Sequence, residues 1–196
     1  GGGMSEEPCP GQAGRHASEV AWRLVAFAFA DVADFTRHMA RDDVATLERW
    51  NRIQKTVLVP VAERYRGRMA KKIGDAVLVE FPSVVHAVNW AIDVQTGIAA
   101  GEDEAAGRAM QLRVGVNVDD AIDDDGTLFS SGVNIAARIH QDARPGEIVM
   151  TRLARDLVAD RVAAAFRDLG EVALKNVDRP VHLFAVEPET PGRRQS

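Results

Sequence analysis

The chain has 196 residues, 46% hydrophobic and 27% charged, an ordinary composition for one folded domain with a real core. A formal net charge of −5 argues against a charge-driven nucleic-acid surface, so no nucleic-acid partner is expected. The longest strongly apolar run is about seven residues, far short of the roughly 20 that a membrane-spanning helix needs, so no membrane segment is expected.

Gly1, Gly2 and Gly3 ahead of Met4 read as a cloning remnant. No basic-then-apolar stretch suggests a signal peptide. The one cysteine, Cys9, permits no internal disulfide, and a reducing cytoplasmic location is the simple expectation. Residues 1–20 and 188–196 are rich in Gly, Pro, Glu, Ser or Arg and read as disordered tails around a single domain at 21–187.

Trp22 to Ala30 reads as a strand buried on both faces. Asp42 to Tyr65 reads as a helix that Pro60 kinks or breaks. Arg68 to Phe81 reads as a hairpin, with Gly74 supplying the backbone angles of its turn and Asp75 at its tip. Ser83 is a good N-cap for a helix whose apolar residues recur from Val84 to Ile98. Gln111 to Val118 alternates as a strand, and Asp119 to Thr127 reads as an acidic hairpin tip. Gly132 to Ala143 reads as a helix stopped by Pro145-Gly146. A short strand at Glu147 to Met150, a helix capped by Thr151, and a strand pair at Leu169–Leu174 and Val181–Val186 complete the order. This is an α+β pattern: a ferredoxin-like core, with helices on one face of a mainly antiparallel sheet.

Asp31 and Asp75 close two strand-like segments. Two carboxylates at neighbouring strand ends suit Mg²⁺ or Mn²⁺, which prefer oxygen ligands. Asp is also common as a solvated turn residue, and on these two positions alone that alternative is the stronger. Asn134 and Arg138 are four apart, so one helix face carries both. An amide and a guanidinium together suit a ribose and a phosphate, although a surface pair on an amphipathic helix fits equally well. Lys175 and Arg113 are candidate phosphate-binding cations, each weak alone. The acidic run from Asp119 to Asp125 fails as a calcium loop: Ala121 stands where an EF-hand would begin, and Gly132 where its Glu would fall. His16, His38, His86, His140 and His182 show no metal-ligand spacing, and His86 and His140 read as packing or surface residues.

Five segments taken together resemble the class III nucleotidyl cyclase catalytic domain, of the bacterial adenylyl cyclase type. They are Phe29-Ala30-Asp31-Val32-Ala33-Asp34-Phe35-Thr36, Gly67 to Asp75 with Lys71-Lys72-Ile73-Gly74-Asp75, Leu112-Arg113-Val114-Gly115-Val116-Asn117, Gly132-Val133-Asn134-Ile135-Ala136-Ala137-Arg138 and Leu174-Lys175-Asn176. The resemblance implies conversion of ATP to 3′,5′-cyclic AMP and pyrophosphate with two Mg²⁺ or Mn²⁺ ions. It places Asp31, Asp75 and Val32 at the metals, and Phe35, Thr36, Arg113 and Lys175 at the substrate. Lys71 would contact adenine, with Thr127 at the other base-reading position. Asn134 and Arg138 would bind the ribose and the charge developing on the α-phosphate. It further implies a head-to-tail homodimer. One subunit supplies the metal carboxylates and Arg113, and the other supplies Lys71, Thr127, Asn134, Arg138 and Lys175.

Base choice follows from donor patterns. Lys71 can only donate, which suits the acceptor N1 of adenine, whereas guanine presents an N–H there. Thr127 both accepts and donates, where similar adenylyl cyclases more often carry Asp. Asp34 stands where the family usually has Gly, and Phe129-Ser130-Ser131-Gly132 replaces a more usual Tyr-Gly-Asp-Gly. These departures support a second reading, a catalytically weak nucleotide-binding homologue with a regulatory or dimerising role. A guanylyl or diguanylate cyclase is a third. The diguanylate form is disfavoured by Ile73-Gly74-Asp75-Ala76 and by the Asn134/Arg138 helix.

Overall fold

Alternation of side chains along the first strand organises both layers of the molecule. In the computed structural model, residues 21–101, 110–124 and 127–189 are described; the expected tail at 1–20, residues 190–196 of the tail expected at 188–196, and the turn at Asp125-Gly126 lie outside them. Strand β1 spans Ala21–Val32. Its Ala26, Ala28, Ala30 and Val32 pack with Trp50, Leu58 and Trp90 in the main core. Its Val25 and Phe27 point the other way, into a second cluster with Leu78, Ala121 and Ala136.

Helices α1 (Phe35–Arg41), α2 (Asp43–Ile53) and α3 (Val59–Arg64) lead to the hairpin of β2 (Arg68–Ile73) and β3 (Ala76–Phe81). Helix α4 (Val84–Gly101) then leads to β4 (Leu112–Asp124), which pairs with the short β5 (Thr127–Phe129). Helix α5 (Gly132–Ile139), β6 (Ile148–Thr151), α6 (Arg152–Val158), β7 (Ala164–Val172) and β8 (Val181–Pro188) follow. The sheet order is β2-β3-β1-β4-β6-β8-β7, and of these pairs only β4 with β6 is parallel. Its first four strands, with helices between β1 and β2 and between β3 and β4, form the expected ferredoxin-like core.

Several expectations change in detail. Helix α5 carries Ala136 into the cluster around Phe27, so it covers the sheet face opposite α2 and α4. Helices therefore lie on both faces, not one. Gly115 permits this close seat: a Cβ there would meet Ala136 O at 2.6 Å and His140 N at 2.9 Å. The expected acidic hairpin is present, with Asp124 opposite Thr127, but its strand is longer than expected. The acidic segment continues β4 and pairs with the start of β1, where Arg23 bridges Asp123 at 3.1 Å. That end of β1 projects beyond the core, leaving Trp22 65% exposed. Pro60 does not end the long helix. A π turn at Gln54–Leu58 precedes it, giving room for a ring that clashes with the turn behind it and lacks an N–H. The buried Trp90 donates Nε1 to Leu58 O at 3.2 Å and ties α4 to that irregularity. Strand β7 begins five residues before the expected Leu169, and β8 ends at Pro188. Among the described residues, no helix is long and apolar enough to cross a membrane.

Candidate active site

Strand register brings the first site residues together. Asp31 sits opposite Ala76 of β3 on one side and opposite Arg113 of β4 on the other. Asp75 immediately precedes Ala76 in the β2–β3 turn, so both carboxylates reach the same corner. Gly74 makes that turn with φ +59°, a conformation L residues rarely adopt. Trp50, buried on α2, donates Nε1 to Gly74 O at 3.2 Å and pins the turn to the core. Val32 N donates to Asp75 O at 3.3 Å and joins the turn to β1.

Asp31 is 8% exposed and carries three hydrogen bonds. Arg113 donates from Nε to Oδ1 at 3.1 Å and from a terminal nitrogen to Oδ2 at 2.6 Å. His140 donates from Nε2 to Oδ2 at 3.2 Å. Burial pushes the Asp31 carboxyl up, but the bonds from His140 and Arg113 outweigh it and hold the group below its ordinary value. Asp75 goes the other way: burial raises its carboxyl, and the neighbouring Asp31 charge adds to the rise.

An open cleft of about 590 Å³ is lined by Asp31, Val32, Asp75 and Arg113, with Asp34, Phe35, Thr36, Arg37 and Ala40 of the loop and α1. The carbonyl of Asp34 accepts from Arg37 N at 2.9 Å and from His38 N at 3.1 Å. The amides of Phe35 and Thr36, at the very start of the helix, have no intrahelical acceptor and suit an anion. Asp34 itself has φ +55°, and its carboxylate is 3.8 Å from Arg37.

The donor set fits a hard divalent cation in one specific way. Among the described residues, no three His, Cys, Asp or Glu converge on a metal position. Two carboxylates in a phosphate-sized cleft are what Mg²⁺ uses when substrate phosphates and water complete its shell. Asp31 and Asp75 would hold such an ion, and the unfavourable charge pairing at Asp75 is what a cation would relieve.

A family model for the adenylate and guanylate cyclase catalytic domain matches residues 21–187. The chain belongs to this family. It is a class III nucleotidyl cyclase domain, a family that generally uses divalent metals. It is 40% identical over 176 residues to a Rhizobium meliloti protein named "Putative adenylate cyclase 3", which covers 87% of this chain. The chain spans well under half the length of the curated relatives it matches, 29% in that case. A crystal structure described as an adenylate/guanylate cyclase/hydrolase from Silicibacter pomeroyi superposes with TM-score 0.79 at 29% identity, over 87% of this chain and all of that one. The adenylyl cyclase CyaB from P. aeruginosa shares the fold with TM-score 0.78 at 23% identity, over 88% of this chain and 98% of that one.

The remaining sequence-derived positions of this cyclase domain lie outside the cleft. Asn134 is exposed and Arg138 half-buried on α5. Lys71 is exposed on β2 opposite Leu78, and Leu78 belongs to the cluster under α5. Thr127 is exposed at the start of β5, and Lys175 is exposed in the β7–β8 connection next to Asn176, which has φ +58°. None of the five lines the cleft that holds Asp31 and Asp75.

Three supporting residues were given no role from the sequence. Trp50 holds the Asp75 turn from 24 residues away, and His140 reaches Asp31 across 109. Asn117, 4% exposed, accepts from Thr151 Oγ1 at 2.9 Å and donates Nδ2 to Gly132 O at 3.2 Å. It thereby fixes the start of the helix carrying Asn134 and Arg138. Its place inside the Arg113-to-Asn117 motif was the only hint.

Proposed function

We propose that this domain is an adenylyl cyclase that forms 3′,5′-cyclic AMP and pyrophosphate from ATP at sites shared across a head-to-tail homodimer. The observation that carries the reading is the division of the site. One cleft gathers Asp31, Asp75, Arg113 and the Phe35–Thr36 amides, while Lys71, Thr127, Asn134, Arg138 and Lys175 stand elsewhere on the same chain. A second copy brings the second set to the first.

The ribose 3′-oxygen attacks the α-phosphorus in line, the bond to the bridging oxygen breaks, and pyrophosphate leaves. Asp31 and Asp75, with Val32 beside them, would hold two divalent ions, which would supply Lewis-acid charge to ease loss of the 3′-hydroxyl proton and to offset charge on the phosphates. Arg113 and the first amides of α1 hold the β- and γ-phosphates, and Lys175 of the partner copy adds a cation. A guanidinium has five N–H donors, so the fork onto Asp31 leaves donors for phosphate. Asn134 orients the ribose, and Arg138 answers charge that grows in the transition state. Lys71 donates to adenine N1, and Thr127 accepts from the adenine amino group.

A direct test incubates the protein with Mn²⁺ and either ATP or GTP and identifies products by chromatography. Cyclic AMP from ATP is expected. Cyclic GMP formed from GTP in preference would contradict the base assignment. Nucleotide binding without product would favour the second reading, a weak homologue, which Asp34 specifically supports by adding a third carboxylate to the cleft.

Asp34→Gly tests that point. The substitution removes the extra charge and should lower KM for metal–ATP. An unchanged or raised KM would end the repulsion argument. Left-handed backbone costs an L residue about 1–2 kcal/mol, and glycine's extra unfolded freedom returns about 0.5–1 kcal/mol, so the melting temperature should hold or rise slightly.

A further inference from the structure

We infer that His140 is a positioning residue that holds the Asp31 carboxylate in place for a divalent cation. The inference rests on the proposed role of Asp31 as a metal ligand. Asp31 Oδ2 takes hydrogen bonds from both Arg113 and His140, but the two donors differ in freedom. The Arg113 side chain is 28% exposed, on a long flexible stem beside the phosphate part of the cleft. With phosphate bound, its donors are shared between phosphate and Asp31.

His140 cannot turn. Its side chain is 7% exposed, and its ring lies against Phe29 with centroids 4.8 Å apart. Phe29 and Asp31 share one face of β1, so the imidazole spans both. Its backbone is held where α5 crosses β4 at Gly115. Nδ1 is buried with no hydrogen-bond partner among the described residues, so the bond to Asp31 is the ring's one hydrogen bond there. A buried polar ring that leaves one nitrogen bare costs free energy that an apolar side chain of similar shape does not. The carboxylate contact is what offsets it. Partners behind a metal ligand fix its rotamer in this way and govern affinity for the ion.

The test uses the full chain, with His140→Gln, whose amide reaches as Nε2 does, and His140→Met, which has no donor. Mn²⁺ binding is followed by electron paramagnetic resonance in the presence of 3′-deoxy-ATP, which cannot cyclise. His140→Met should weaken Mn²⁺ binding on the order of 10- to 100-fold, and His140→Gln should stay close to wild type. If His140→Met does not fold, His140→Asn, too short to reach Asp31, replaces it. A merely structural role would lower melting temperatures and leave Mn²⁺ affinity unmoved. A folded donor-less variant with wild-type Mn²⁺ affinity overturns the inference. Asp31→Asn separates the two levels: if it too leaves Mn²⁺ binding unchanged, the metal role of Asp31 is itself wrong.

Discussion

Asp75→Asn is expected to lower the rate of cyclic AMP formation on the order of 10³-fold while leaving the fold intact. The Asp75 backbone does the structural work, because its carbonyl accepts from Val32 N and the turn is pinned through Gly74 and Trp50. Asparagine keeps those contacts and nearly the same volume. What it loses is one of the two carboxylates proposed to hold metal, and with it several kcal/mol of charge stabilisation, which converts to a rate loss of that order. Steady-state kinetics with Mn²⁺–ATP, beside a thermal melt, provide the check. A fall of less than about tenfold would remove Asp75 from the metal site.

Arg138→Ala should act on a different quantity. Its loss should lower kcat on the order of 10²-fold or more with KM little changed, because the guanidinium answers charge present only in the transition state. Its placement has to be rigid for this to hold. Helix α5 is seated on β4 at Gly115, and its first turn is held by Asn117 through Gly132 O. Arg138→Lys should recover only part of the rate, since a point charge cannot reproduce a planar fork. If KM rises while kcat holds, Arg138 binds ground-state substrate instead.

The parts of the site that a reader of the chain could find are those set by local chemistry. Gly74 requires a turn with positive φ, and the hairpin around it places Asp75 without help from distant residues. The two strands ending near Asp31 and Asp75 were visible in their apolar runs, but their adjacency depends on β1–β3 register. The pairing of Asp31 with Arg113 spans 82 residues and depends on β1–β4 register, which no local pattern encodes. The extent of the acidic hairpin was hidden for the same reason: its backbone to Asp124 continues β4 because β1 pairs with it, while Asp120 and Asp124 stay exposed. Helix α5 was clear, but the face it covers was not, since that depends on Gly115 lying beneath Ala136 and His140. Asp34 marks the reverse case. Its family position usually holds Gly, and its φ of +55° supplies the physical reason.

The measurement closest to the central proposal mixes two dead proteins. Asp75→Asn spoils the metal half of a site, and Arg138→Ala spoils the half supplied by the partner copy. Unfolded together and refolded, or co-expressed, they form mixed dimers in which one of two sites takes both intact halves. Random pairing in a two-fold dimer should restore about a quarter of wild-type cyclic AMP formation. A mixture as inactive as either variant alone, with mixed dimers demonstrated by mass, would contradict a site shared between two copies of this chain.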